Sequence, residues 1–173
     1  MQWCNDKLWG MNAHPTSEER KTSMPEHIAL EKVEVALREL IDRLREEQEG
    51  FRDLGHRLQN DRVKRFFLEE TQRRAEYAAE LENELHRMGV HDVKEKISRA
   101  TKARLFWGEI QASLAGGQKA LLSTAEKFDE GTLKIYAAVL KQELPLPLRE
   151  MLDRQQAHVQ RSHDQSRALH DLG

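Results

Sequence analysis

Glu47, Glu70, Arg74, Asp129 and the Ser162-His163 step are charged or polar residues at positions where the surrounding pattern calls for apolar side chains. Each interrupts the apolar stripe of a helical stretch. If the four stretches pack together, the interruptions meet in one buried layer. Carboxylates with a histidine inside a helical bundle are donors suited to Fe, Mn or Zn. Carboxylates with an arginine are the makings of a buried ion-pair network. The metal reading takes Glu47, Asp129 and His163 as ligands of one ion, with water completing the shell. The ion-pair reading joins Glu47 to Arg74 across one helix interface and Asp129 to His163 across another, with no metal. Burying either charge of such a pair alone would cost several kcal/mol, which favours the paired arrangement. Glu70 either assists a metal or balances Arg74. Ser162 belongs to the same layer, and Gln48, beside Glu47, supports it by hydrogen bonding.

Five helical stretches must position these residues. The first spans about 26–59, with Val33, Leu37, Leu40, Leu44, Glu47, Phe51, Leu54 and Leu58 on one face. Its steps alternate four and three, the repeat of closely packed, nearly parallel helices. Asn60-Asp61 forms a short turn in which either residue can cap the next helix. The second stretch, about 62–88, puts Glu70 and Arg74 on the face of Val63, Phe67, Ala78 and Leu81, and Gly89 stops it. A third pattern over 92–115, centred on Trp107, is long enough to run the length of a bundle before Gly116-Gly117 ends it. The fourth covers about 118–143, with Leu122, Ala125, Asp129, Leu133, Tyr136 and Leu140 inward. After the Pro145-Leu146-Pro147 turn, the fifth runs over about 147–171, with Leu148, Leu152, Gln155, Val159, Ser162, Ser166 and Leu169 inward and His163 on the flank. His158 and His163 are five apart and do not share a face.

The depths agree. Glu47 stands about as far before the Asn60-Asp61 turn as Arg74 stands after it, and Asp129 and Ser162 are related in the same way about Pro145. With a connection running end to end between the second and fourth stretches, all the interruptions reach one level. The expected fold is therefore all-α: a ferritin-like four-helix bundle of two antiparallel hairpins joined by a long helical crossover. Residues 26–173 form that domain, and residues 1–25, with Pro15, Pro25 and unpatterned Trp3 and Trp9, form a flexible N-terminal tail.

Composition narrows the function. Charged residues make up 34% of 173 positions, yet the net charge is only −2 with both signs interspersed. That balance excludes a nucleic-acid binder working by phosphate neutralisation. No stretch approaches the roughly 18 apolar residues of a membrane span. Cys4 is the single cysteine and no secretory leader is visible, so a cytoplasmic protein is expected. No phosphate loop or nucleophile motif is present, so catalysis is not expected. The expected partners are a second copy of the chain and a protein docking on the tail tryptophans.

The stretches LRELIDRLREEQEGFRDLGHRL, FFLEETQRRAEYAAELENELHRMG, LFWGEIQASLAGG, AEKFDEGTLKIYAAVLKQELP and RQQAHVQRSHDQSRAL resemble, in order and spacing, a bacterial family of ferritin-like four-helix-bundle proteins catalogued as a domain of unknown function. The resemblance covers about residues 28–171. It implies a glutamate where this chain has Asp129, a His-Asp pair at His163-Asp164, and, by analogy, metal chemistry in iron handling or oxidative-stress protection. One departure weakens that analogy. Diiron bundles carry Glu-x-x-His on two helices, whereas this chain has none, offering Gln160-x-x-His163 and placing Arg74 where a further ligand would stand.

Overall fold

The computed structural model describes residues 17–90, 108 and 116–171, with side chains described from Leu30 onward. Among these residues are the helices α1 (Ser17–Arg57), α2 (Asp61–Arg87), α3 (Gly117–Leu140) and α4 (Leu146–Asp171), and no strand. Apart from residue 108, the sequence-predicted crossover helix over 92–115 lies outside the described residues, as do the tail tryptophans. Helix α1 begins at Ser17, so residues 17–25, expected as part of the tail, are helical.

The helix ends follow from local chemistry. The Asn60 side chain accepts hydrogen bonds from the Arg62 and Val63 amides, at 3.0 and 3.2 Å, and so starts α2. At the other end Gly89 adopts φ +84°, with its amide bonded to the His86 carbonyl and the Val90 amide to that of Leu85. This is the paired ending that glycine permits at no steric cost. The Arg149 guanidinium, from the first turn of α4, donates to the Leu140 and Gln142 carbonyls at 2.9 Å and satisfies the end of α3.

Two hairpins result, α1 on α2 and α3 on α4, with α1 also against α3 and α2 against α4. The apolar core is divided in two. One cluster joins Leu37, Leu40 and Leu44 of α1 to Leu81 of α2, Tyr136 of α3 and Leu152 of α4. The other joins Phe51 and Leu54 of α1 to Val63 and Phe67 of α2 and Leu122 and Ala125 of α3. Helix α2 thus ends at the level of the first cluster and α3 begins at the level of the second. The end of α2 and the start of α3 therefore lie at opposite ends of the bundle. Between the two clusters every helix contributes polar side chains to the interior.

The expected inward faces of α1 and α4 hold, with Leu169 partly covered. That of α3 is turned: Leu121, Phe128, Thr132 and Val139 are buried, whereas Leu133 and Leu140 are only partly covered. A helix packed against two neighbours buries a wider arc than a single seam.

Candidate functional site

Arg74 is the centre of the polar layer. It lies on α2 one turn after Glu70, so both face the interior, and it is fully buried. Its Nε donates to Glu47 Oε2 of α1 at 2.8 Å, its Nη1 to Glu70 Oε2 at 2.8 Å, and its Nη2 to Asp129 Oδ1 of α3 at 2.5 Å. Nη2 also lies 3.4 Å from Ser162 Oγ of α4. The guanidinium stands 5.3 Å from the centre of the Phe51 ring, which covers it from the apolar side. A planar fork with five N–H donors suits carboxylates arriving from three helices at once.

The carboxylates have further partners. Thr132 donates its hydroxyl to Glu47 Oε1 and accepts from Arg43 Nε at 3.1 Å. Arg43 Nε also lies 3.4 Å from Glu47 Oε1, and its Nη2 donates to the Phe128 carbonyl at 3.0 Å. Ser162 donates to Asp129 Oδ2 at 3.1 Å. His158 Nε2 lies 3.0 Å from Glu70 Oε1 and 3.3 Å from Oε2. One turn away the Tyr136 hydroxyl, fully buried, donates to Gln155 Oε1 at 2.9 Å, and Gln155 Nε2 donates to Glu80 at 2.7 Å.

Burial alone would push the Arg74 guanidinium down. The charges of Asp129, Glu47 and Glu70 more than reverse this, so it stays protonated. Burial pushes the Asp129 carboxyl up, to about 7; Arg74 opposes the shift and the Glu47 charge adds to it. Burial likewise raises the Tyr136 phenol. The layer is therefore a closed electrostatic unit that holds its cation permanently.

Of the residues expected to meet, Glu47, Glu70, Arg74, Asp129 and Ser162 do so, and Gln48 stands half-buried at the edge. The expected Glu47–Arg74 pair is one arm of a larger network. The expected Asp129–His163 pair does not form. Asp129 takes Arg74 and Ser162 instead, while His163 lies 3.7 Å from Glu130 and 3.2 Å from Asp164. The hydrogen bond from His163, with one from Gln160, holds the exposed Asp164 carboxyl below its usual range. The histidine next to the layer is His158. It stands four residues before Ser162, a spacing that puts both on one face and was open to reading from the sequence. Thr132, three residues after Asp129, gave the same signal. Glu46 is mostly buried and lies 3.8 Å from Arg43.

Nor do these residues fit a metal. The positions facing Glu47, Glu70 and Asp129 are taken by the guanidinium. Among the described residues, no three His, Cys, Asp or Glu side chains are grouped as a metal ion requires. No helix among the described residues is long and apolar enough to cross a membrane.

No curated protein matches the chain. The family model described as Domain of unknown function (DUF2383) matches residues 32–142. That span is more than half of the chain. It carries Glu47, Glu70, Arg74, Asp129 and Thr132, and it ends before α4. The chain therefore belongs to the family Domain of unknown function (DUF2383).

Proposed function

We propose that this protein is a ferritin-like four-helix bundle that works without catalysis, its internal ion network fixing the pairing and depth of its helices. One observation carries the reading: Arg74 bonds carboxylates from α1, α2 and α3 within a layer that separates two apolar clusters. In ferritin-like metal bundles, carboxylates on facing helices surround a cation in the core. Here a covalently attached cation takes that role, and it leaves no open coordination position at which a substrate could react. The protein's work then falls to its surface, with a second copy of the chain or a protein docked on the N-terminal segment as partner, in the cytoplasm.

The competing reading is an Fe, Mn or Zn protein of iron handling or oxidative-stress protection, with Glu47, Asp129 and His163 as ligands. It requires Arg74 to leave its three carboxylates. Elemental analysis of the full chain, purified without added metal and again after incubation with Fe(II), Mn(II) or Zn(II) and desalting, separates the two. The expected result is far less than one metal per chain in every sample. One metal per chain, lost in Asp129→Asn, would replace the proposal by the metal reading.

A further inference from the structure

Helix α1 outruns the bundle it belongs to. Glu47 meets Arg74, and Val90 lies as far after Arg74 as Glu31 lies before Glu47, so α2 and its ending reach no further along α1 than Glu31. Arg43 meets Thr132, and Leu140, the last residue of α3, lies as far after Thr132 as Val35 lies before Arg43. Helix α4 stands diagonally from α1 and does not pack on it. Val33 is accordingly the first buried residue of α1 among the described side chains. The helix nevertheless continues back to Ser17, roughly 20 Å beyond Glu31. A projecting helix of that length is marginal in water without packing. Pro25, which has no N–H to donate, takes one more backbone bond from it. The projection therefore needs a packing partner that α2, α3 and α4 do not supply.

The order of its residues specifies that partner. Ser17, Lys21, Met24, Ile28, Glu31 and Val35 follow one another at alternating steps of four and three, and so share one face of the helix. This face is distinct from the inward one of Val33, Leu37 and Leu40. Glu31 and Val35 are both exposed, Val35 at 60%. An antiparallel copy with the two-fold axis at Glu26 makes the face complementary to itself. Lys21 then stands opposite the partner's Glu31, Met24 opposite the partner's Ile28, and Ser17 opposite the partner's Val35. The flanking positions match as well, with Arg20 level with the partner's Glu34 and Glu18 with the partner's Lys32. Every charged pair joins opposite signs. A parallel copy would set Lys21 against Lys21 and Glu31 against Glu31.

We propose that two copies of the chain dock through an antiparallel pairing of residues 17–35 of α1, a self-complementary surface that closes as a two-fold dimer. The proposal rests on the surface-acting reading above and gives its second copy a place to bind. One short helical stretch from each copy takes part, so the interface falls at the small end of specific interfaces and the dimer is reversible. The Arg74 layer lies several turns away and takes no part in it.

Sedimentation velocity of the full chain, from micromolar to sub-millimolar concentration, tests the pairing. The expected result is a reversible shift from monomer to dimer as concentration rises. Lys21→Glu sets like charges opposite each other at two symmetry-related places and should raise the dimer dissociation constant about tenfold. Adding Glu31→Lys to Lys21→Glu restores opposite signs and should restore dimerisation. Ile28→Glu puts a charge at the centre of the pairing and should leave a monomer. These positions lie before the first buried residue of α1, so circular dichroism at monomer concentrations should show an intact bundle in every variant. A native chain that stays monomeric, a dimer that persists in Ile28→Glu, or a double charge exchange that does not recover the single one overturns the proposal. Metal content reports separately on the functional reading: a metal-loaded chain that pairs in this way keeps the docking surface, and a metal-free monomer removes it while leaving the non-catalytic bundle.

Discussion

Replacing Arg74 by methionine removes the charge while keeping a long apolar side chain in the same space. Three carboxylates then lose their common partner, and they do not lose it equally. Glu47 keeps the Thr132 hydroxyl and Arg43, and Glu70 keeps His158. Asp129, fully buried, keeps only the Ser162 hydroxyl. Stranding one partner of a buried ion pair costs about 3–5 kcal/mol. Asp129 suffers that cost almost in full, and the other two add to it less than additively because the three share one network. A loss of about 4–6 kcal/mol is expected, a large part of the roughly 5–15 kcal/mol that holds a domain together. Urea unfolding followed by circular dichroism at pH 7 measures it. The loss should shrink at pH 5, because a stranded carboxylate binds its proton more tightly in the folded state than in the unfolded one. Stability from that source is therefore present at low pH and lost as pH rises. Combining Arg74→Met with Glu47→Leu and Asp129→Leu should recover much of the loss, since apolar replacement of a whole buried network is often tolerated. A single Arg74→Met change costing less than about 1 kcal/mol would refute the reasoning, and so would a triple variant no more stable than the single one.

Further outcomes follow from neighbouring contacts. Asp129→Asn should destabilise less at pH 8 than at pH 5.5. The native carboxyl, pushed up to about 7, is largely protonated at the lower pH, and stability falls as it ionises between its unfolded and folded values; equal losses at both pH values in urea titrations would contradict this. Thr132→Val removes the hydroxyl between Glu47 and Arg43 and should cost about 1–3 kcal/mol, towards the lower end because Arg43 already lies 3.4 Å from the same Glu47 oxygen. Asn60→Ala strips the cap of α2 and should cost about 1 kcal/mol in thermal unfolding, with Asn60→Asp restoring it.

Much of this architecture is legible in the residues. Turns at Asn60-Asp61 and near Pro145 fix which positions on paired helices share a level, so Glu47 is matched to Arg74 and Asp129 to Ser162 before any coordinates exist. The same reflection matches Tyr136 to Gln155, and the structure joins them. What the sequence hides is rotation about each axis and the number of partners one group can serve. One residue along a helix turns the side chain by about 100°. That step separates Ser162, inside, from His163, outside, and it is why His158 rather than His163 reaches the layer. On α3 an inward face drawn as one narrow seam passed over Phe128 and Thr132, because packing against both α1 and α4 widens the buried arc. The balance of charges could suggest an ion pair. It could not show that a single guanidinium is held by three helices, since that depends on where three side chains end rather than on which residues they are. The outer faces carry local pairs such as Arg38–Glu34 and Arg57–Asp53, which solvent screening leaves nearly neutral in energy.

The central claim is that Arg74 is held inside the bundle by carboxylates from three helices. NMR of the arginine side chains in the full chain, with nitrogen-15 labelling and Arg74→Lys to assign the signal, reads that state directly. A held guanidinium gives separate Nη1 and Nη2 resonances and an Nε–H protected from water, and this is the predicted result for Arg74. A single averaged Nη signal in rapid exchange with solvent would contradict the account.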